Sequence, residues 1–237
     1  MLILRSGLFL LLQLLITPPY AFFAVLTAPL PRLLRYRLIT AWSRLMVWLL
    51  GVVCGLHYRV EGRENLPAAP YVILSKHQSA WETLAFAAIF PPVSFVLKKE
   101  LLRIPFFGWG LALTSPIAID RSAGREALKQ LLAQGAERVA QGFCVVVFPE
   151  GTRVKPGETG KYNIGGAWLA SHVRLPVVPV AHNAGRFWGK NGFLKRPGTV
   201  TVSIGQPLAS DNLKPGELNQ QVESWIEGEM RRIDHSR

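Results

Sequence analysis

The first fifty or so residues carry an almost uninterrupted apolar pattern. No residue between Arg5 and Arg32 is charged, and roughly 20 apolar residues are enough to span a bilayer. Pro18 and Pro19 lie inside this run, and a proline pair removes two helical N–H donors, so we expect the helix to break there. A cleaved signal peptide is the rival interpretation. It is disfavoured because the chain stays apolar after Pro19 without a convincing small-residue cleavage site.

The next segment, from Arg32 to Val60, places arginines beside an apolar helical face. Its apolar residues recur at helical spacing, at Leu34, Leu38, Trp42, Leu45 and Leu49. Arginine and aromatic side chains beside such a face are typical of the headgroup zone of a membrane. A pair of core helices in a soluble domain would produce the same pattern. We favour the first interpretation, and predict that residues 1–55 form hydrophobic, membrane-associated helices.

Short β-rich runs alternate with helical patterns through the rest of the chain. The predicted strands are His57–Glu61, Tyr71–Ser75, Val93–Leu97, Ser115–Asp120, Phe143–Phe148, Val177–Ala181 and Thr199–Ile204. The predicted helices are Ala80–Ile89, Glu100–Thr114, Gly124–Gln141 and Gly216–Ile233. This alternation predicts an α/β fold whose sheet is mainly parallel and flanked by helices. Ligands of such folds gather at the carboxyl ends of the strands.

Composition and charge narrow the classes of partner. Of the 237 residues, 49% are hydrophobic and only 18% are charged, yet 27 basic residues against 15 acidic ones give a net charge of +12. The apolar share excludes disorder as the main state. A basic excess on an apolar chain favours a membrane surface, an anionic lipid or a phosphorylated substrate over nucleic acid. The two cysteines, Cys54 and Cys144, are too few for a disulfide framework or a zinc site.

The first candidate site is the sequence SKHQSAWE, which follows an apolar strand and begins a helix. His77 would lie at the carboxyl end of that strand. On a regular helix Glu82 would lie about 140° around from His77, so the two can meet only if His77 is in the turn before the helix. The carboxylate would then fix the imidazole tautomer and stabilise imidazolium. A helix-capping histidine beside an unrelated glutamate is an equally good interpretation of these residues.

Two further segments could bind an anion. The sequence FPEGTR follows a buried strand and supplies Glu150, Gly151, Thr152 and Arg153. Its glycine permits close backbone approach, and its arginine can hold a phosphate in a bidentate manner. The basic residues that follow two other predicted strands are Lys98, Lys99 and Arg121. The alternatives are solvated surface charges and a local Glu150–Arg153 ion pair, which would be worth little.

Taken together, these segments resemble the motifs of the lysophospholipid acyltransferase family, particularly its bacterial 1-acylglycerol-3-phosphate acyltransferases. The HX4D motif of that family corresponds to His77 and Glu82, with glutamate in place of the usual aspartate. A second block ends at Arg121, FPEGTR matches fully, and a later V-P-V block corresponds to Val178–Val180. The motifs occur in the order of the family, and the resemblance covers roughly residues 55–210.

The resemblance implies the glycerolipid acyltransferase fold, with the catalytic domain over residues 56–237. The implied reaction moves an acyl group from acyl-CoA or acyl carrier protein to the sn-2 hydroxyl of 1-acylglycerol-3-phosphate (lysophosphatidic acid), giving phosphatidic acid for phospholipid synthesis. The implied catalytic residues are His77 and Glu82. The implied substrate-binding residues are Lys98, Lys99, Arg121, Glu150, Gly151, Thr152 and Arg153. The resemblance implies no metal and no redox cofactor.

The expected partners are membrane lipids, lysophosphatidic acid and the acyl donor, with no nucleic acid. The expected location is the cytoplasmic face of a bacterial inner membrane. Three other functions remain open at this point: an acyltransferase of the same fold with another acceptor, such as a lyso-ornithine lipid; a thioesterase, with water in place of the alcohol; and a non-catalytic, membrane-bound lipid-binding protein. Retention of both His77 and Glu82 argues against the last of these.

Overall fold

The structure is a computed structural model that describes residues 1–211 and 213–235. Two helices come first, α1 (Leu2–Leu26) and α2 (Arg32–Cys54). The strands are β1 (Leu56–Glu61), β2 (Val72–Ser75), β3 (Val93–Lys98), β4 (Ile117–Ile119), β5 (Cys144–Val147), β6 (Val177–His182) and β7 (Gly198–Ile204). The remaining helices are α3 (Trp81–Ile89), α4 (Phe107–Ala112), α5 (Arg125–Ala140), α6 (Gly165–Val173) and α7 (Pro215–His235).

Within the described residues the strands form one seven-stranded sheet in the order β1-β7-β6-β2-β5-β3-β4. Every neighbouring pair is parallel except β6 and β7, which are antiparallel. The predicted α/β class with a mainly parallel sheet is therefore confirmed, and each of the seven predicted strands has a counterpart. Strand β2 lies between β5 and β6, so its carboxyl end is surrounded by theirs.

Each face of the sheet has its own hydrophobic core, because successive residues of a strand point to opposite faces. On β2, Ile73 belongs to the core formed with α1, α2 and α3, whereas Val72 and Leu74 belong to the core formed with α5, α6 and α7. All four residues of β2 are buried. A strand that is covered on both faces needs apolar residues at successive positions. This explains the apolar sequence YVIL before the first candidate site.

Helix α1 differs from the prediction. It runs without interruption through Pro18 and Pro19 as a 25-residue helix, so the predicted break is wrong. The prolines still remove two backbone donors. However, α1 packs along α2 and α4, and such tertiary contacts can override the local preference of the chain.

The predicted helix over Glu100–Thr114 is also wrong. A 3-10 turn, Lys99–Arg103, precedes the short helix α4 instead. Pro105 disfavours helical backbone at the residue before it, and Ile104 is extended with ψ at 121°. Phe106 then has φ at +61°, which completes the interruption. The short helix α6 has no counterpart in the sequence-based prediction.

The N-terminal helices combine a buried side with an exposed apolar side. Both are long and apolar enough to cross a membrane by length and composition. Along α1 a stripe at helical spacing is exposed by 71, 49, 52 and 62% at Leu4, Leu8, Leu11 and Leu15. By contrast, Met46 and Leu50 of α2 are fully buried in the core on the sheet. The helices thus share a core with the α/β part, and the division between residues 55 and 56 stays a prediction.

Candidate active site

Three neighbouring strands bring distant segments of the chain to one edge of the sheet. Strands β5 and β6 are both parallel to β2, so the residues after their carboxyl ends meet. His77 follows β2, Glu150 follows β5, and His182 is the last residue of β6. This edge is where ligands of open α/β sheets bind, and it carries both principal motifs from the sequence.

The turn between β2 and α3 wraps around the carboxylate of Glu82. Oε1 of Glu82 lies 2.8 Å from Nδ1 of His77 and accepts the backbone N–H groups of Gln78 at 2.9 Å and Ser79 at 2.8 Å. Because His77 lies before the helix and Glu82 lies in its first turn, the two side chains can meet. The contact that the sequence allowed is therefore present, while the catalytic roles of both residues stay predictions.

These contacts determine the protonation pattern of the pair. The Glu82 side chain is fully buried. Burial by itself raises its pKa, but His182, the hydrogen bond with His77 and the N–H of Ser79 outweigh burial and hold the pKa of Glu82 below its ordinary value. A carboxylate only accepts hydrogen bonds, so Nδ1 of His77 carries the proton and Nε2 is left as a base. The His77 ring stacks on Phe148, with centroids 4.0 Å apart and planes at 13°.

A second histidine, His182, contacts the backbone of the residue just before His77. It is fully buried, its Nε2 lies 2.9 Å from the carbonyl oxygen of Lys76, and its Nδ1 accepts the N–H of Ala184 at 3.4 Å. Nε2 therefore carries the proton and donates to Lys76. Burial lowers the pKa of His182, although Glu82, with Oε2 4.0 Å away, raises it. The sequence analysis missed this residue, yet His182 ends an apolar strand just as His77 follows one.

Glu150 lies behind the turn rather than beside the other predicted binding residues. Its side chain is fully buried, with Oε1 2.7 Å from Nζ of Lys76 and Oε2 accepting the backbone N–H of His77 at 2.8 Å. Burial raises the pKa of Glu150, against the opposing effect of Lys76. The local ion pair with Arg153 that the sequence allowed does not occur within the described part of the chain.

A cavity of about 580 Å³ opens beside His77. Its walls are mostly apolar and come from α1, α2, α3 and β3. The lining residues near the sheet edge include His77, Lys98, Arg121, Gly151, Thr152, Arg153 and Lys190. The structure thus brings five of the seven predicted binding residues into one cavity with His77, and leaves out Lys99 and Glu150.

The cations around the cavity differ in what they contact. Arg121 donates to the carbonyl oxygen of Gly151, and burial lowers the pKa of its guanidinium. Lys99 is paired with Asp120 outside the cavity, at 2.5 Å. Among the described residues, Lys98 and Arg153 line the cavity, and the side chain of neither has a hydrogen-bond or ion-pair partner. These two are therefore available to an anionic ligand.

Lys190 is a further cation of the cavity that the sequence analysis did not single out. It lies in the loop between β6 and β7 and donates to Oγ1 of Thr152 at 3.3 Å. A lysine in a loop carries no periodic or motif signal that would single it out.

Comparison with known proteins identifies the family. The model of the acyltransferase family matches residues 57–183. A 1-acyl-sn-glycerol-3-phosphate acyltransferase of Pseudomonas aeruginosa is 50% identical over 208 residues, which are 86% of this chain and 81% of that protein. The chain belongs to the 1-acyl-sn-glycerol-3-phosphate acyltransferase family. The resemblance seen in its motifs, and the enzyme class that this resemblance implied, are confirmed.

Two further acyltransferases, which are less similar to this chain in sequence, also match it. The 1-acyl-sn-glycerol-3-phosphate acyltransferase of Saccharomyces cerevisiae is 31% identical over 91% of this chain and 74% of that protein. The crystal structure of the 1-acyl-sn-glycerophosphate acyltransferase PlsC from Thermotoga maritima superposes with a TM-score of 0.82 at 21% identity. That match covers 100% of this chain and 97% of the other, and it confirms the expected fold. The expectation that this acyltransferase needs neither metal nor redox cofactor stays a prediction.

If the charge of Glu82 acts on His77, Glu82→Gln should lower kcat by about 10²–10³, because the imidazolium formed during attack loses its counter-charge while the shape is kept. Glu82→Asp should fall between Gln and the parent, since it keeps the charge and shortens the reach. Steady-state kinetics measure both. Glu126→Gln, another first-turn glutamate, but an exposed one, is the control. A Glu82→Gln enzyme that folds and keeps the parent kcat would make Glu82 a purely structural cap.

The buried His182 should make stability depend on pH. The pKa of His182 lies below the ordinary 6.5 in the folded protein. Below about pH 6.5 the unfolded chain therefore binds more protons than the folded protein, and the free energy of unfolding decreases as the pH falls. Glu82 affects stability at a lower pH. Its carboxylate stabilises the fold fully above its ordinary pKa of 4.5, and this stabilisation is lost as the pH falls through the lowered pKa of the folded protein.

Between about pH 7 and 5 the urea unfolding free energy of the parent should therefore fall more steeply than that of His182→Asn. The difference in slope should be at most about 1.4 kcal/mol per pH unit. Parallel pH profiles for the two proteins would contradict a neutral, buried His182.

Proposed function

We propose that the protein transfers an acyl group from acyl-CoA or acyl carrier protein to the sn-2 hydroxyl of lysophosphatidic acid, producing phosphatidic acid. One observation carries this proposal. His77, whose Nδ1 is held by Glu82, and two cations whose side chains have no partner among the described residues line the same, mostly apolar cavity. A lipid with an anionic headgroup and a hydroxyl between headgroup and acyl chain matches that combination. Relatives that bear this activity by name support it.

The acceptor phosphate binds to Arg153, assisted by Lys98. Both line the cavity and neither contacts an acidic group in the described residues. A guanidinium matches the geometry of a phosphate with two parallel hydrogen bonds. Arg121 acts indirectly, since its contact with the carbonyl oxygen of Gly151 supports the loop that carries Thr152 and Arg153.

The chemistry needs a base and a counter-charge, which His77 and Glu82 supply. Nε2 of His77 takes the proton of the sn-2 hydroxyl as its oxygen attacks the thioester carbonyl carbon, and Glu82 stabilises the resulting imidazolium. A new C–O bond forms and the C–S bond breaks. The imidazolium then returns its proton to the departing thiolate, which leaves as the free thiol.

The acyl chains lie in the apolar part of the cavity. Residues of α1, α2, α3 and β3 line that part. The cavity volume of about 580 Å³ is within the usual range for small-molecule sites. Of these helices, α1 also exposes the leucine stripe, Leu4, Leu8, Leu11 and Leu15, on its outer side. The cavity that takes the lipid is therefore walled by the helices that would touch the membrane.

We place the enzyme on the cytoplasmic face of a bacterial inner membrane. The two apolar helices support membrane association, and a similar enzyme comes from a bacterium. Arginines accompany the apolar surface, including Arg32, Arg35 and Arg37 at the start of α2. Basic residues beside membrane helices favour the cytoplasmic side, and acyl-CoA or acyl carrier protein would be supplied from there.

Turnover with a panel of acceptors tests the proposed function. We expect conversion of lysophosphatidic acid to phosphatidic acid, and at least about tenfold weaker use of 1-monoacylglycerol, because it lacks the charge that Arg153 would pair with. Arg153→Lys should raise the KM for lysophosphatidic acid about tenfold, since it keeps the charge and loses the planar fork. The KM for acyl-CoA should stay within about twofold.

Arg125 is exposed, so Arg125→Lys is the matched control and should change neither KM. Free fatty acid without diacyl product would indicate a thioesterase, preference for a lyso-ornithine lipid would indicate another acceptor, and no turnover of any acceptor would indicate a lipid-binding protein. Each of these outcomes contradicts the proposal.

Acidic substitutions in the leucine stripe test whether it contacts the membrane. Leu11→Glu/Leu15→Glu places two carboxylates on the exposed side of α1, and each charge is costly to bring into lipid. We expect the variant to move from the membrane fraction to the soluble fraction. Gln220→Glu/Gln221→Glu adds the same charge to the exposed side of α7 and should stay with the membrane. Equal partition of the two variants would contradict this orientation.

A further inference from the structure

A buried ionic cluster lies beneath the turn that carries His77. At its centre is the Lys76 side chain, which is only 1% exposed. Its ammonium lies 2.7 Å from Oε1 of Glu150 and 2.7 Å from Oε1 of Glu227, and it also donates to the carbonyl oxygen of Glu158 at 3.2 Å. Because a buried charge needs close partners, the position of this ammonium is determined by the two carboxylates.

Glu227 is itself held in place. Tyr162 donates its hydroxyl to Oε1 at 2.8 Å, and Thr159 donates its hydroxyl to Oε2 at 2.9 Å. Glu227 is on α7, whose residues Ile226 and Met230 are buried in the core on that face of the sheet. Both oxygens of the carboxylate therefore have donors, and the helix that carries it is anchored.

The cluster is linked to the catalytic turn through two steps. Lys76 fixes one oxygen of Glu150, and the other oxygen of Glu150 accepts the backbone N–H of His77 at 2.8 Å. Lys76 is also the residue just before His77, and its own N–H donates to the carbonyl oxygen of Val180 at 3.0 Å. The backbone position of His77 thus depends on where the Lys76 ammonium is held.

We propose that Glu227 is a positioning residue for the acyl transfer: through Lys76 and Glu150 it holds the His77 backbone where the imidazole meets Glu82. This role rests on the proposed function of the site. Glu227 lies outside residues 57–183, the part of the chain that matches the family model. It touches neither the cavity lining nor the His77 ring in the described contacts, so it acts on the position of the base and not on substrate binding.

The energetic reason is the sensitivity of catalysis to geometry. A misplacement of about 1 Å at a reacting group can cost about 10² in rate. Without the charge of Glu227, the ammonium of Lys76 keeps only the carboxylate of Glu150 and the carbonyl oxygen of Glu158 as partners among the described residues. The ammonium and Glu150 can then shift together, and Glu150 can move away from the N–H of His77. The effect falls mainly on kcat, because neither Arg153 nor Lys98, the groups proposed to hold the phosphate, has a side-chain contact with this cluster in the described residues.

The test compares two glutamates of the same helix. Glu227→Gln removes the charge from the cluster and keeps the shape. Glu229→Gln is the matched control: its side chain is 17% exposed against 15% for Glu227, and it likewise pairs with a cation, Arg232, and accepts a serine hydroxyl, that of Ser203. The pairs of Glu229 are not connected to His77, so any general cost of losing a helix ion pair is common to both variants.

We expect Glu227→Gln to lower kcat about tenfold with both KM values within about twofold, and Glu229→Gln to leave kcat unchanged. Tyr162→Phe removes one anchor of Glu227 and keeps its charge, so it should lower kcat by a smaller factor, about two- to threefold. It also serves as the test if Glu227→Gln does not fold. Equal losses in Glu227→Gln and Glu229→Gln, or an unchanged kcat in Glu227→Gln or in Tyr162→Phe, would overturn the positioning role.

A substrate-free measurement separates this inference from the proposed function. The ring C–H signal of His77 in the NMR spectrum, assigned by its loss in His77→Ala, should shift in Glu227→Gln and stay in place in Glu229→Gln. If the parent does not acylate lysophosphatidic acid, the proposed function fails, and this signal alone then decides the positioning role. A His77 signal that is the same in both variants would overturn it.

Discussion

The buried carboxylate of Glu82 is the constraint on which the site depends. A charge removed from water must be matched by hydrogen bonds or by opposite charge. Oε1 of Glu82 receives two backbone N–H groups and the imidazole of His77. To supply them, the chain must leave β2 at Ser75, turn through Gln78 and Ser79, and begin α3 only at Trp81. The orientation of His77 is thus a consequence of satisfying one buried anion.

The sheet topology supplies the second half of the site. Because β5, β2 and β6 are adjacent and parallel, the FPEGTR segment and the end of β6 are delivered beside the His77 turn. The first carries Glu150 to the back of the turn and Arg153 to the cavity, and the second carries His182 beneath it. One strand order therefore produces a buried side, which holds Glu150 and Lys76, and an open side, where Arg153 lines the cavity.

The N-terminal helices have two structural roles at once. Their buried residues, such as Met46 and Leu50, complete the core on one face of the sheet. Their cavity-lining residues enclose the apolar space beside His77, and the leucine stripe of α1 remains exposed. Removal of these helices would therefore expose the core as well as open the cavity, so membrane contact has to be examined with point substitutions instead of truncation.

The sequence by itself determined the features that depend on local patterns. Alternation of β-rich runs and helical runs placed all seven strands, and the spacing of His77 and Glu82 together with FPEGTR indicated the family. Local patterns could not decide α1, where packing against α2 and α4 overrides two prolines. Nor could they show which of Lys98 and Lys99 faces the cavity. Neighbouring residues at a strand end point to opposite sides, and the fold decides which side the cavity occupies. Only Lys98 lines the cavity.

The partners of Glu150 were decided by the tertiary structure alone. From the sequence, Glu150 could pair with Arg153 three residues away, or bind substrate; in the fold its carboxylate contacts Lys76 and the backbone of His77. The same holds for Glu227, which meets Lys76 across 151 positions of the chain. Such contacts depend on which strands are neighbours and how a helix lies across them. Those are properties of the assembled sheet, and no stretch of sequence contains them.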